Sequence, residues 1–400
     1  MPTHIYNDRR MMRKILLALL AMAAVQMSGA IKIVAMSDIH AMSEKLVEKS
    51  GAAIDKYAAS DMRMIKESAE ILRTVIGKII EQRPDIVMIS GDLTKDGERL
   101  SHEFVASQFE RLRAKGIKVL VIPGNHDISN ANAKYFNGKE RRTAATITRK
   151  EFRDIYSHFG YGGNVKCDTA SLSYAVEPVK GLVVIGIDSN RDEENLLKAR
   201  GDSVNTYHTA GRIKDATLRW ITDQARAARA QGKRVVAMMH HHLIEHFDKE
   251  AQLLDKYVVA DHENVRNELI DAGVHAILTG HLHLSDIARD YNNGDSITEV
   301  ATGSLITYPF HYRTITIDAD RMSVTTNQLK SIASNPHLLA DGKRQVEQAV
   351  PGLLNSVLSR LMGKIEKLNK KLSGVMALFG GGESIDLAAQ KDKIAATFHR

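Results

Sequence analysis

Five apolar, strand-like runs in this chain end abruptly in aspartate, asparagine or histidine. Ile31–Met36 runs into Ser37-Asp38-Ile39-His40, Ile86–Ile89 into Ser90-Gly91-Asp92, and Ile117–Ile122 into Pro123-Gly124-Asn125-His126-Asp127. Arg234–Met239 runs into His240-His241-His242, and His275–Thr279 into Gly280-His281-Leu282-His283. In an open α/β sheet, ligand sites gather beyond the carboxyl ends of the strands. A glycine before such a residue lets the backbone turn sharply and approach a bound group. Any one of these clusters is ordinary turn chemistry. Five in register with the strand pattern are not, and if the strands share a sheet the clusters crowd one edge.

The intervening segments supply the crossovers. Between residues 61 and 82, Met64, Ile65, Ile71, Leu72, Val75, Ile76, Ile79 and Ile80 recur at helical spacing, and Pro84 marks the stop. Ser101 to Lys115 is a second amphipathic helix, closed by Gly116. Strand, helix, strand, helix, strand at this spacing predicts parallel strands with helical crossovers. Residues 128–165 are polar, with a helix near 149–159, and read as an insertion near the site that shapes substrate access. Strands at 171–177 and 182–187, a helix at 216–230, another at 264–272, and strands at 297–301, 314–317 and 324–326 complete the pattern.

Apolar content of 44% and charged content of 26% suit a globular α/β chain that builds its core without staples. The lone Cys167 forms no internal disulfide. The net charge of +7 is spread out, with no basic run interleaved with aromatics, so no nucleic-acid polymer is indicated as a partner. Arg9, Arg10, Arg13 and Lys14 precede an apolar run from Ile15 to Val25, and Ser28-Gly29-Ala30 follows. That layout predicts a signal peptide over 1–30, with Met11 or Met12 an alternative start, and an exported protein, periplasmic or extracellular. The expected domain spans 31–332. In the helical extension at 333–400, Leu354, Leu358, Leu361, Ile365, Leu368, Leu372 and Val375 alternate four and three residues apart. This heptad-like seam at 354–375 reads as a helix docking on the domain, with homo-oligomer formation or membrane-surface contact as alternatives.

The donors define the chemistry. Four imidazoles, two carboxylates and one amide oxygen suit two divalent transition ions. Asp38, His40 and His283 can hold one; Asn125, His240 and His281 can hold the other; Asp92 can bridge. The five-part pattern resembles the calcineurin-like metallophosphoesterase superfamily over about Ile31 to Leu329. The resemblance implies a four-layered α/β/β/α sandwich with a dinuclear centre at the strand ends. It implies Asp38, His40, Asp92, Asn125, His240, His281 and His283 as ligands of Fe, Mn or Zn. It implies His126 as the histidine that contacts the phosphate, and Asp127 as the carboxylate that orients it. The fourth block departs from the usual pattern, lacking its proline. His240, first after the strand, is assigned as the ligand, with His241 the alternative. His242 and His246 read as solvated or structural, and His102 as a helix-surface residue. His241, Ser304 and Tyr308 are candidate substrate contacts, with Gly303 and His311 nearby. Asp188 and Ser189 read as a turn. The expected activity is hydrolysis of a phosphoester substrate by a metal-activated hydroxide, with diesters slightly preferred over monoesters. A non-catalytic metal-stabilised scaffold, binding partners through the C-terminal helix, is the competing reading.

Overall fold

A computed structural model describes residues 29–195, 207–318 and 321–352. The expected signal sequence, up to residue 28, and the heptad-like seam lie outside the described residues. The main unit ends at Val346 and a separate unit begins at Glu347.

The five diagnostic strands are shared between two sheets rather than placed in one. In the first sheet, β1 (Ile31–Met36), β3 (Ile86–Ser90) and β4 (Lys118–Ile122) run parallel as neighbours in that order. Strands β14 (His311–Ile317) and β15 (Met322–Gln328) close one edge antiparallel. In the second, β9 (Leu182–Ile187), β10 (Arg234–Met239), β11 (Ala276–Thr279) and β13 (Asp295–Ala301) are parallel. Its order is β12-β13-β11-β10-β9-β8-β7, with β12 (Asp286–Asn292), β8 (Tyr174–Val179) and β7 (Lys166–Cys167) antiparallel at the margins.

Side-chain alternation builds the layers. Along β1, Ile33 and Ala35, with Ile86, Met88 and Leu120 of the neighbouring strands, face the second sheet, where Val184, Val236, Met238 and Leu278 meet them. Val34 and Met36 face the other way, into a cluster with Ile71, Leu72, Val75, Ile76 and Ile79 of the helix Ser68–Gln82 and Phe109 of the helix Arg99–Arg113. On the outer face of the second sheet, Val235, Ala237 and Met239 pack on Ile221 and Ala225 of the helix Asp215–Ala230 and on Val265 and Leu269 of the helix His262–Asp271. Both faces of each parallel strand are thus covered, which is why the strands read as continuous apolar runs. This is the α/β/β/α sandwich that the motif pattern implies.

Three boundaries differ from the sequence reading. The first long helix starts at Ser68, because the Asp61 carboxylate accepts the Arg63 backbone N–H (2.9 Å) and its guanidinium, holding 61–63 in a turn. Residues 128–165 are built into the core. Phe152, Tyr156 and Phe159 share one face and are buried with Ile128, Phe136 and Ile147 in the helix-side cluster of the first sheet. Strands β5 (Lys134–Asn137) and β6 (Glu140–Thr143) join β2 (Val47–Lys49) in a small third sheet. The main unit also continues past residue 332, since Leu338 is fully buried in that cluster.

Candidate metal centre

The loops after the carboxyl ends of strands from both sheets meet on one side of the sandwich, and backbone hydrogen bonds knit them together. Asp38 N donates to Gly91 O (3.1 Å), His40 N to Asp92 O (2.9 Å), and Gly280 N to His240 O (3.0 Å). Ser90 crosses between sheets: its hydroxyl donates to Leu278 O (3.2 Å) and its carbonyl accepts from His240 Nδ1 (2.8 Å). Five of the seven expected ligands occupy left-handed backbone: Asp38 (φ 50°), His40 (40°), Asp92 (49°), His281 (68°) and His283 (59°). Each such conformation costs on the order of 1–3 kcal/mol and persists only when surroundings over-determine it. Gly280 and Gly124 permit the crowding. A Cβ on Gly280 would lie 1.7 Å from Ser37 Oγ and 2.5 Å from Asp38 Oδ2; one on Gly124 would lie 2.2 Å from Asp92 Oδ1.

The donors converge as two sets, Asp38–His40–His283 and Asp92–His240–His281, each with its ligand atoms within 4.8 Å of one another. Asp92 joins them: its Oδ2 is 3.5 Å from His40 Nε2 and 3.4 Å from His240 Nε2. Its other oxygen is held by the His126 backbone N–H (2.8 Å). Asn125 Oδ1 lies 3.0 Å from His240 Nε2, and His283 Nε2 is 3.3 Å from Asp38 Oδ1.

Tautomers follow from the partners. His281 Nε2 donates to Lys256 O (3.1 Å), which leaves its Nδ1 lone pair free; His240 Nδ1 donates to Ser90 O, and its Nε2 faces only acceptors, Asn125 Oδ1 and Asp92 Oδ2, where a cation would take a proton's place. Burial and the neighbouring His241 and His240 hold the His281 pKa well below its usual value, keeping it neutral. Asp38 Oδ1 is buried without a hydrogen-bond partner among the described residues. Burial opposes a charge on His240, yet Asp92 raises its pKa to about 9, a mark of carboxylate charge that calls for a cation. The orphaned oxygen, the fixed His281 tautomer, the acceptors converging on His240 Nε2 and the mixed N/O set fit two transition ions. His40 fits less simply. Its Nδ1 lies 2.9 Å from Arg63 Nη1, which can only donate, so a cation on Nε2 would require this contact to give way.

The histidine–carboxylate assignment needs correction. His126 Nδ1 lies 2.8 Å from Lys95 O and 3.1 Å from Asp96 Oδ1, so Asp96, not Asp127, orients it. Lys95, fully buried, grips Asp96 and, at 2.9 Å, Glu98. Asp127 instead staples the loops: it accepts the backbone N–H groups of Gly124 (2.8 Å), Leu93 (3.1 Å) and Thr94 (2.9 Å) and the Thr94 hydroxyl (2.8 Å). A residue adjacent in sequence has its side chain on the other side of the turn, which sequence proximity hides.

Other expected roles also shift. His241 is buried, with Nδ1 2.8 Å from Ser189 Oγ and Nε2 3.0 Å from Thr209 O. Both its nitrogens are engaged, so neither is left for an ion or a substrate. Ser304 is buried and donates to Asp38 O (2.8 Å), supporting a ligand rather than a substrate. Tyr308 packs on the apolar cluster of the first sheet. His311 Nδ1 lies 3.2 Å from Ser285 Oγ, which also accepts from Gly303 N (3.1 Å). Asp188 pairs with Arg149 (2.7 Å). His102 is not on the surface: it is fully buried, with Nδ1 2.8 Å from Tyr156 Oη and Nε2 2.8 Å from Asp127 O. Sequence reasoning missed Arg63, Lys95, Asp96 and Tyr207, whose ring lies 5.2 Å from that of His126. Only Asp96, four residues past Asp92, carried a signal.

The family model for calcineurin-like phosphoesterases matches residues 31–285. An uncharacterised metallophosphoesterase of Bacillus subtilis strain 168, YhaO, is 41% identical over 66 residues, 16% of this chain and 16% of that protein. A protein of Ruthia magnifica subsp. Calyptogena magnifica, described as a probable cyclic nucleotide phosphodiesterase, is 37% identical over 89 residues, 22% of this chain and 36% of that one. The matched stretches thus span well under half the length of both relatives. A dimetal phosphatase from Danio rerio has a TM-score of 0.50 at 16% identity, covering 74% of this chain and 96% of that one. At that identity the likeness is one of fold.

His102 ties the site's acid stability to its packing. Burial lowers its pKa to about 3, below the usual histidine value of about 6.5. The unfolded chain therefore takes up a proton between those values that the folded chain refuses. Stability is full above pH 6.5 and falls by about 1.4 kcal/mol per pH unit as pH drops below it. In urea titrations at pH 7, 6, 5 and 4, His102→Gln is expected to lose stability at pH 7 but to show a shallower acid slope than the wild type. Parallel slopes would contradict this.

Proposed function

We propose, from the premise that this chain belongs to the calcineurin-like phosphoesterase family, that the site is a dinuclear centre that hydrolyses phosphate esters. The observation that carries this reading is Asp92 Oδ2, within 3.5 Å of a histidine from each donor set. One carboxylate so placed can hold two cations and offset their repulsion. Asp38, His40 and His283 would bind the first ion; Asn125, His240 and His281 the second. Fe, Mn or Zn suits these donors. When bound, such a pair supplies Lewis acidity toward phosphoryl oxygens and a water acidic enough to attack as hydroxide near neutral pH.

The chain's own groups do the remainder. His126, with its Nδ1 proton fixed between Lys95 O and Asp96, keeps Nε2 for the reacting group. Burial opposes its protonation, but Asp92 and Asp96 raise its pKa, so it can carry a proton to a leaving oxygen. Arg63 is almost buried, held by Asp61 at 2.6 Å, and always charged. Beside His40, it is a fixed cation suited to a phosphoryl oxygen. A slight preference for diesters is supported by the description of the Ruthia magnifica relative. The apolar segment after Arg9–Lys14 supports export to a periplasmic or extracellular compartment.

Asp92→Ala is expected to lose both ions by elemental analysis and at least about 10³-fold in kcat/KM. The substrates are bis(p-nitrophenyl) phosphate and p-nitrophenyl phosphate, with the diester the better. Retention of both metals and most turnover in the variant would sink the proposal. Arg63→Ala is expected to raise KM by roughly ten- to a hundredfold while leaving metal content unchanged; an unaltered KM removes Arg63 from substrate binding. For export, mass spectrometry of protein recovered outside the cytoplasm should show a chain starting near Ile31, and an intact chain confined to the cytoplasm would refute it.

A further inference from the structure

A second constellation of metal-binding chemistry lies on the other face of the second sheet. Glu299 pairs across β13 and β11 with Ile277 and follows the face of Ile297, which is buried in the helix-covered core. The dinuclear centre's donors lie instead at the strand ends, between the sheets. One ligand atom each of His242, His246 and Glu299 lies within 4.8 Å of the others. Glu299 Oε1 is 3.4 Å from His246 Nε2, and the two rings have their centroids 4.5 Å apart.

Every other polar atom in the cluster is spoken for. His242 Nδ1 lies 2.8 Å from Glu250 Oε1, and His246 Nδ1 lies 3.0 Å from Asp286 Oδ2. A carboxylate at Nδ1 accepts its proton and turns the Nε2 lone pair toward the gap, the arrangement that fixes metal-bound histidines. Glu250 Oε2 also accepts the His246 backbone N–H (2.7 Å), which locks the loop between the two histidines. Glu299 is held by Leu243 N (3.0 Å), Ile244 N (2.6 Å) and the Thr279 hydroxyl (2.6 Å). Both Nε2 atoms are buried without a hydrogen-bond partner among the described residues. Leaving two such atoms unpaired in the interior is unfavourable unless something binds them. His242, Glu250 and Glu299 are fully buried, while the Asp286 side chain is 47% exposed and offers access from solvent.

We propose that His242, His246 and Glu299 bind one further divalent transition ion of the zinc type, separate from the dinuclear pair. Two imidazole nitrogens and one carboxylate oxygen are a zinc donor set, with a fourth position left for water. The ion offsets the buried carboxylates Glu250 and Glu299 beside the half-exposed Asp286 and clamps the loop after β10, which carries His240, to β13. Bridging that loop and β13, it holds a wall of the catalytic cleft. The rival occupant is a proton: burial disfavours a charged His246, yet Glu299 and Asp286 raise its pKa to about 9.

Crystals of wild-type protein, treated with about three equivalents of zinc chloride per chain and desalted, would be measured above and below the zinc absorption edge. An anomalous peak about 2.0–2.2 Å from His242 Nε2, His246 Nε2 and Glu299 is the expected result. A structure without that peak, in which His246 bonds directly to Glu299, overturns the proposal whatever the dinuclear centre holds. Metal analysis of His246→Gln is expected to show roughly one equivalent fewer than wild type, and an unchanged count also overturns it. Should that variant fail to fold, the wild-type anomalous map decides alone.

Discussion

A carboxylate buried between two sheets must be neutralised, and this fold is arranged around doing so at Asp92. The side chain is almost fully buried, with histidines from both sheets directed at its free oxygen. Burial opposes its ionisation, but His240, His126 and His40 together hold its pKa well below the usual carboxylate range. A group kept ionised in the interior is costly unless paired. Two cations sharing this one carboxylate would satisfy that demand, and their charge would suit phosphoester chemistry.

The same demand explains the strained backbone. Aspartate and histidine tolerate left-handed φ poorly compared with glycine, yet five of them adopt it around the centre. The strain is held by the crossed hydrogen bonds of the loops and by the stapling carboxylate of Asp127, which engages four donors. Behind that staple stands His102, buried against Tyr156. The segment 128–165 is therefore part of the core: its aromatic face supports, through His102, the loop that carries Asn125 and His126.

Much of this was legible in the sequence. The parallel strands, their crossover helices and the ligand types all followed from apolar runs that stop in polar clusters. The division into two sheets did not follow from the residues, because a strand buried on both faces looks the same in either sheet. The orienting partner of His126 was also hidden. Asp127 is adjacent in sequence and Asp96 lies thirty residues away, but the turn after β4 sends the Asp127 side chain back toward Leu93 and Thr94. His241 shows the same limit. A run of three histidines offers three ligands on paper, and only burial and partners separate His240 from its neighbours. Arg63 and Lys95 carried no pattern at all; their meaning arises from contacts across the fold.

Electron paramagnetic resonance of the manganese-loaded protein tests the shared carboxylate most directly. Two Mn(II) ions bridged through Asp92 should give the multiline spectrum of an exchange-coupled pair as the second equivalent is added. A spectrum that remains that of isolated, uncoupled Mn(II) at two equivalents would contradict the account.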